Sequence, residues 1–111
     1  MNINNLIIDT LRPIGLDVRY MKYSGENDSY ITFFEINNMD DDYSDNESET
    51  EIHSLQIDLF AKNDPTQLKK DIKKALKSRF KDVTYTDFYE SDTGTYHIAF
   101  RCYFYEEKEL I

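Results

Sequence analysis

Hydrophobic positions recur along this chain with two periods, and the change from one to the other marks its elements. Residues 3–11 place Ile3, Leu6, Ile7 and Leu11 on one face at helical spacing, with Asn5, Asp9 and Arg12 opposite. Asn2 stands where a helix N-cap belongs, and Pro13 with Gly15 ends the pattern. "LDVRYMKY" follows as a short strand, "SGENDS" as a turn, and "YITFFEI" (30–36) as a strand apolar on both faces and therefore interior to a sheet. A turn between two adjacent strands predicts a hairpin. "IHSLQIDLF" (52–60) alternates strictly: Leu55, Ile57 and Leu59 point one way, Ser54, Gln56 and Asp58 the other.

The second helix is the best specified. In "NDPTQLKKDIKKALKSRF", Asp64 is the expected N-cap, Pro65 takes the first helical position and Gln67 the capping-box position. Leu68, Ile72, Ala75 and Leu76 form its apolar stripe; Lys70, Lys73, Lys74 and Lys77 form the opposite one. "VTYTDFYE" and "TYHIAFRCYFY" then read as two strands joined by "SDTG". In the last strand Tyr96, Ile98, Phe100, Cys102 and Phe104 make the core face, and His97, Ala99, Arg101, Tyr103 and Tyr105 the other. The order α-β-β-β-α-β-β predicts a single α+β domain: a mostly antiparallel sheet of about five strands with two helices on one face.

Composition excludes several classes. With 111 residues the chain suits one core, and 40% apolar with 14% aromatic residues is too much for disorder despite a net charge of −9. Cys102, the single cysteine, has no partner for an internal disulfide and sits in an apolar strand, where it reads as a small buried hydrophobe. The N-terminus has no signal-peptide pattern and no run reaches membrane-span length, so the expectation is a soluble intracellular protein.

Charge changes the picture more. "NNMDDDYSDNESETE" (37–51) holds seven carboxylates and no Lys or Arg, whereas residues 62–81 carry eight Lys or Arg against Asp64 and Asp71. The acid run is expected to be a flexible loop over about 38–51. Counted as an EF-hand from Asp40, it places Asp42 at position 3, Ser44 at 5 and Glu51 at 12. Asp45 stands where the loop needs Gly, Glu47 where it needs an apolar residue, and the flanks are strands, so a dedicated calcium loop is not supported. A solvated loop and a docking loop remain. His53 and His97 have neither H-x₃-H spacing nor a Cys partner, which leaves zinc without support. No nucleophile turn or cofactor motif is present, and the expectation is no enzyme, no cofactor and no metal.

The lysine stripe admits three readings: a solvated helix exterior, a phosphate-binding surface, or the partner of a neighbouring subunit's acid run. Overall acidity and the lack of interleaved aromatic and basic residues argue against specific nucleic-acid binding. Tyr103 and Tyr105, expected beside Tyr85 and Tyr89 on the outer face, fit either an interface or ordinary cross-strand pairs.

Two stretches, "FYESDTGTYHIAFRCYFYEE" and "LQIDLFAKNDPTQLKKDIKKAL", together about half of the chain, make it similar to the tail-completion (tail-terminator or head–tail joining) proteins of long-tailed bacteriophages and prophages. The resemblance implies a structural subunit of a ring, commonly hexameric, that joins the tail tube to the head connector while DNA passes through. It implies residence in the virion, in the host cytoplasm during assembly, and partners consisting of itself, tail-tube and head-connector proteins. The candidate assembly residues are then Asp40, Asp41, Asp42, Asp45, Glu47, Lys70, Lys73, Lys74, Lys77, Tyr103 and Tyr105. The alternative is a monomeric binding or adaptor module, inhibitor-like, acting through the acidic loop.

Overall fold

A computed structural model describes residues 1–41 and 48–109. The chain forms α1 (Ile3–Leu11), a 3-10 turn (Arg12–Ile14), β1 (Asp17–Tyr20), β2 (Tyr30–Asp41), β3 (Ser48–Ala61), α2 (Thr66–Lys77), β4 (Lys81–Glu90) and β5 (Thr95–Glu109). This is the expected α+β order. Among the described residues one sheet of five strands, arranged β1-β2-β3-β5-β4, carries every strand, with the β1–β2 pair parallel and the other pairs antiparallel.

Alternation decides which side is buried. Leu55, Ile57 and Leu59 of β3 and Ile98, Phe100 and Cys102 of β5 project from the same face, joined by Ile31 and Phe33 of β2. Both helices lie on that face: Ile7 and Leu11 from α1, Ile72 and Leu76 from α2 are fully buried against it. Asn2 caps α1, its Oδ1 accepting from the Asn5 N–H at 3.2 Å. Gly15 follows the 3-10 turn with φ of 84°, a left-handed conformation that favours glycine. At α2 the structure corrects the expected capping box. Asp64 Oδ1 accepts from the Thr66 N–H and hydroxyl, the helix proper starts at Thr66, and Gln67 reaches forward to Asp71 rather than back.

Three further readings are corrected. β1 and β2 are parallel neighbours, with Asp17 opposite Tyr30, and not a hairpin. A strand of four residues is only about 13 Å long, so residues 21–29 can run back beside it without a helix. Asp17 holds that return: Tyr23 Oη and Asn27 Nδ2 both donate to its Oδ2, at 2.9 and 3.0 Å, and Tyr23 stacks on Tyr30. The strands also run further into the acid run than expected. Residues 38–41 and 48–51 are paired strand, with Asn38 opposite His53 and Asp40 opposite Glu51. β5 continues to Glu109 and supplies the other flank of β3.

The third correction concerns the tyrosines. Tyr85 and Tyr89 lie opposite Phe100 and Tyr96 on the helix side, whereas Tyr103 and Tyr105 occupy the other face. A register shift between Lys81 and Thr84 separates the two sets.

The long strands stretch the molecule to 52 × 22 × 22 Å. Its radius of gyration is 15.6 Å, against about 13 Å for a compact chain of this length. The excess comes from the ends of β2, β3 and β5, which project past the helices as a three-stranded arm.

Two outcomes follow from the packing. Phe100→Ala, at the centre of the core, is expected to destabilise by about 3–5 kcal/mol in urea melts, while Tyr105→Ala at the exposed arm should cost much less. Burial pushes the Cys102 thiol up to about 12, so native protein should resist alkylation at pH 8 and react on unfolding. Rapid labelling of the folded chain would show the core to be open there.

Candidate functional site

The arm carries the acid. Its strand ends hold Asp40, Asp41, Glu49, Glu51, Glu106, Glu107 and Glu109, against the single lysine Lys108. Asp40 and Asp41 sit at the end of β2, opposite Glu51 and Thr50. Asp42, Asp45 and Glu47 lie outside the described residues. The lysines lie elsewhere: Lys70, Lys73, Lys74 and Lys77 border one shallow depression on the outer side of α2. Lys73 points over the Tyr85 ring at 5.4 Å, beside Lys69, which also pairs with Asp87 at 3.0 Å. Among the described residues no ion pair joins Lys70, Lys73, Lys74 or Lys77 to a carboxylate of the same chain. Acid and base are therefore segregated within one molecule.

At the root of the arm the core face changes character. Past Leu55 the alternation brings His53, then Glu51, onto the buried side of β3, with Glu35 and Asn38 from β2 and Glu106 from β5 beside them. His53 is 5% exposed. Its Nδ1 lies 2.5 Å from Glu35 Oε2, and its Nε2 lies 2.9 Å from Glu106 Oε1 and 3.7 Å from Glu51 Oε2. Asn38 Nδ2 donates to Glu51 at 2.6 Å and to Glu35 at 3.0 Å. Lys108 pairs with the other oxygen of Glu51, and the Met1 amino group lies 3.7 Å from the other oxygen of Glu106. A neutral imidazole has one donor and one acceptor nitrogen. Carboxylates on both nitrogens require a positive centre at each, which a doubly protonated ring supplies.

The electrostatics agree with that geometry. Burial opposes charge on His53, but hydrogen bonds to Glu106 and Glu35, with the charges of Glu35 and Glu51, outweigh it and raise the ring above its ordinary value. The Lys108 ammonium and the Asn38 amide hold Glu51 below the usual carboxylate range, and Lys108 is raised in return. Glu51, His53 and Glu106 each bring one ligand atom to within 4.8 Å of the others, a set that, among the described residues, could hold a metal ion. No motif spacing signals this cluster. Its members come from three strands and sit at positions 35, 51, 53 and 106.

The sheet's second face carries no helix. Tyr23, Tyr30, Phe60, His97 and Phe88 stack in a row across β2, β3, β5 and β4, with centroids 4.1–5.5 Å apart. Asp58 is 5% exposed beneath them, accepting from Gln56 at 3.0 and 3.2 Å and paired with His97 Nε2 at 2.8 Å. Tyr103 and Tyr105 extend this face toward the arm, Tyr105 under Lys81. Among the described residues no helix is long and apolar enough to cross a membrane.

No protein-family model matches the chain, and no curated protein matches it. Among solved structures it is similar in fold to a chain from the virion of a native gene transfer agent particle. The TM-score is 0.55 with 12% identity, covering 93% of this chain and 92% of that one. The likeness thus spans the whole fold and not one motif.

The raised His53 fixes a pH dependence. A group whose folded pKa exceeds its unfolded value of about 6.5 contributes stability in full below that value, and loses it as pH rises through the folded value. Urea midpoints of metal-free protein should therefore fall from pH 6 to pH 9. Glu35→Gln removes one acceptor and one charge, so its decline should be smaller and finish at lower pH. Superimposable profiles for the two proteins would show that Glu35 does not hold the imidazolium.

Proposed function

We propose that this chain is a structural subunit of a phage-type particle, a ring-forming tail-completion or head–tail joining protein. The observation that carries this reading is the separation of charge: an acidic three-stranded arm and a lysine-faced α2 on one chain, with no ion pair between the two among the described residues. A closed ring joins one patch of a subunit to a different patch of the next. Opposite charges at separate places supply such a heterologous pair, where a two-fold dimer would need one self-complementary patch. The fold-wide similarity to a gene transfer agent virion chain supports a particle component of the same broad kind.

Energetics divide the work. Exposed ion pairs contribute only about 0–1 kcal/mol each, so they set register and partner choice, and apolar burial supplies affinity. The helix-free face, with Phe88 half exposed and Tyr105 nearly so, offers such a surface. In this reading the channel side of the ring, where acid repels DNA, and the joints with tail-tube and head-connector proteins use the remaining acidic edge. The chain acts by assembly and not by catalysis. A monomeric, inhibitor-like adaptor is the second reading, favoured by the same acidic arm acting alone.

Sedimentation at several concentrations and salt levels separates the two. The ring subunit should form oligomers that dissociate as salt rises. Reversing Lys73 and Lys74 to Glu should weaken association by about 10–100-fold. Combining that change with Asp40→Lys and Asp41→Lys should restore part of it. A chain that stays monomeric under all conditions would sink the ring and leave the adaptor.

A further inference from the structure

We propose that Glu51, His53 and Glu106 form a binding site for one divalent transition-metal ion, with Glu35 as the carboxylate that orients the imidazole. The two nitrogens of His53 have unlike surroundings. Nδ1 meets one carboxylate, Glu35 at 2.5 Å; Nε2 faces two, Glu106 at 2.9 Å and Glu51 at 3.7 Å. One carboxylate on the far nitrogen is how metal-bound histidines are held, since it fixes the tautomer and raises ligand basicity. Two carboxylate oxygens converging with Nε2 form the ligand set itself.

The distances suit an ion. Zinc bonds to nitrogen and oxygen are about 2.0–2.2 Å, so adjacent ligand atoms around it stand about 3.0–3.5 Å apart. The three atoms are already within 4.8 Å of one another, and two of the contacts bracket that spacing. Each carboxylate is also pre-oriented. Lys108 holds the outer oxygen of Glu51, the Met1 amino group lies by the outer oxygen of Glu106, and each inner oxygen is turned to the ring. Asn38 ties the Glu51 and Glu35 oxygens together.

Charge counts point the same way. Glu35, Glu51, Glu106 and the nearby Asp40 face the Lys108 and Met1 ammonium groups. Four negative charges against two leave a deficit of two around a neutral ring. A proton on Nε2 supplies one positive charge; a divalent ion in its place supplies both. An imidazole with carboxylate oxygens matches zinc, and also manganese or iron, better than magnesium or calcium, which take oxygen alone. Such an ion would clip β3 to β5 where the helices stop. The site stands whether or not the chain forms a ring.

The test uses the full chain, stripped of metal, at pH 7.5 with zinc chloride as the only addition. Calorimetry should give one saturable ion per chain, and long-range ¹H–¹⁵N spectra should show His53 Nε2 losing its proton as zinc is added. Glu51→Gln and Glu106→Gln should each weaken binding by about tenfold or more, and Glu35→Gln by about tenfold. Asp45→Asn with Glu47→Gln should leave it unchanged. The ring signal of the unmutated chain needs no variant to fold. If Nε2 keeps its proton at excess zinc, His53 is a plain imidazolium and the site is refuted. Equal affinity in the Glu51 and Glu106 variants would refute it too, assigning the ion to carboxylates outside this cluster.

Discussion

The structure depends on one mismatch of length. The β3–β5 ladder pairs fourteen residues, Ser48 with Glu109 through Ala61 with Tyr96, which at strand rise is about 46 Å. The helices that cover it have nine and twelve residues, about 14 and 18 Å. They bury the half that carries Leu55, Leu59, Ile98 and Cys102 and cannot reach the other. Near the start of α1, where the Met1 amino group reaches Glu106, the same inward-facing positions turn from apolar to polar. The chain does this by exchanging Leu and Ile for Glu51, His53 and Glu106, and by drawing Glu35 and Asn38 from the neighbouring strand. No described buried side-chain nitrogen or oxygen is left without a partner.

That exchange explains what could be read from the sequence and what could not. Helix caps, core stripes and strand alternation are local, so both helices, the five strands and the buried set Leu55, Ile57, Leu59, Ile98, Phe100 and Cys102 follow from spacing alone. The parallel β1–β2 pair did not, because "SGENDS" has the composition of a hairpin turn. What sends the chain back instead is Asp17, six and ten residues from the groups it binds. The strand ends were hidden for a related reason. Seven carboxylates in residues 37–51 look unable to pair, yet Lys108 and His53 arrive from elsewhere to neutralise part of them. The outer-face row was likewise invisible: Tyr30, Phe60, His97 and Phe88 become neighbours only once the register is known.

Segregated charge has a structural origin as well as a functional use. α2 needs Leu68, Ile72 and Leu76 inward, so the Lys70, Lys73, Lys74 and Lys77 stripe necessarily faces water. The arm, in turn, has no helix to hide under, so its polar positions are free to be acidic. Among the described residues no ion pair joins the Lys70, Lys73, Lys74 and Lys77 stripe to the acidic strand ends. The fold therefore leaves two unlike charged surfaces for other molecules to meet.

The His53 cluster stands between these regions, and its position gives it leverage over the arm. β2, β3 and β5 meet at Glu35, His53 and Glu106, where Glu35 and Glu106 each contact a different nitrogen of the His53 ring. A positive centre at His53 is thus the last tie that all three strands share before the acidic ends begin. Removing it would leave Glu35, Glu51 and Glu106 facing one another with only Lys108, Asn38 and the Met1 amino group to offset them. Like charges directly opposite in a sheet destabilise the pairing. The pairing of these strand ends is in this way tied to the positive charge at His53.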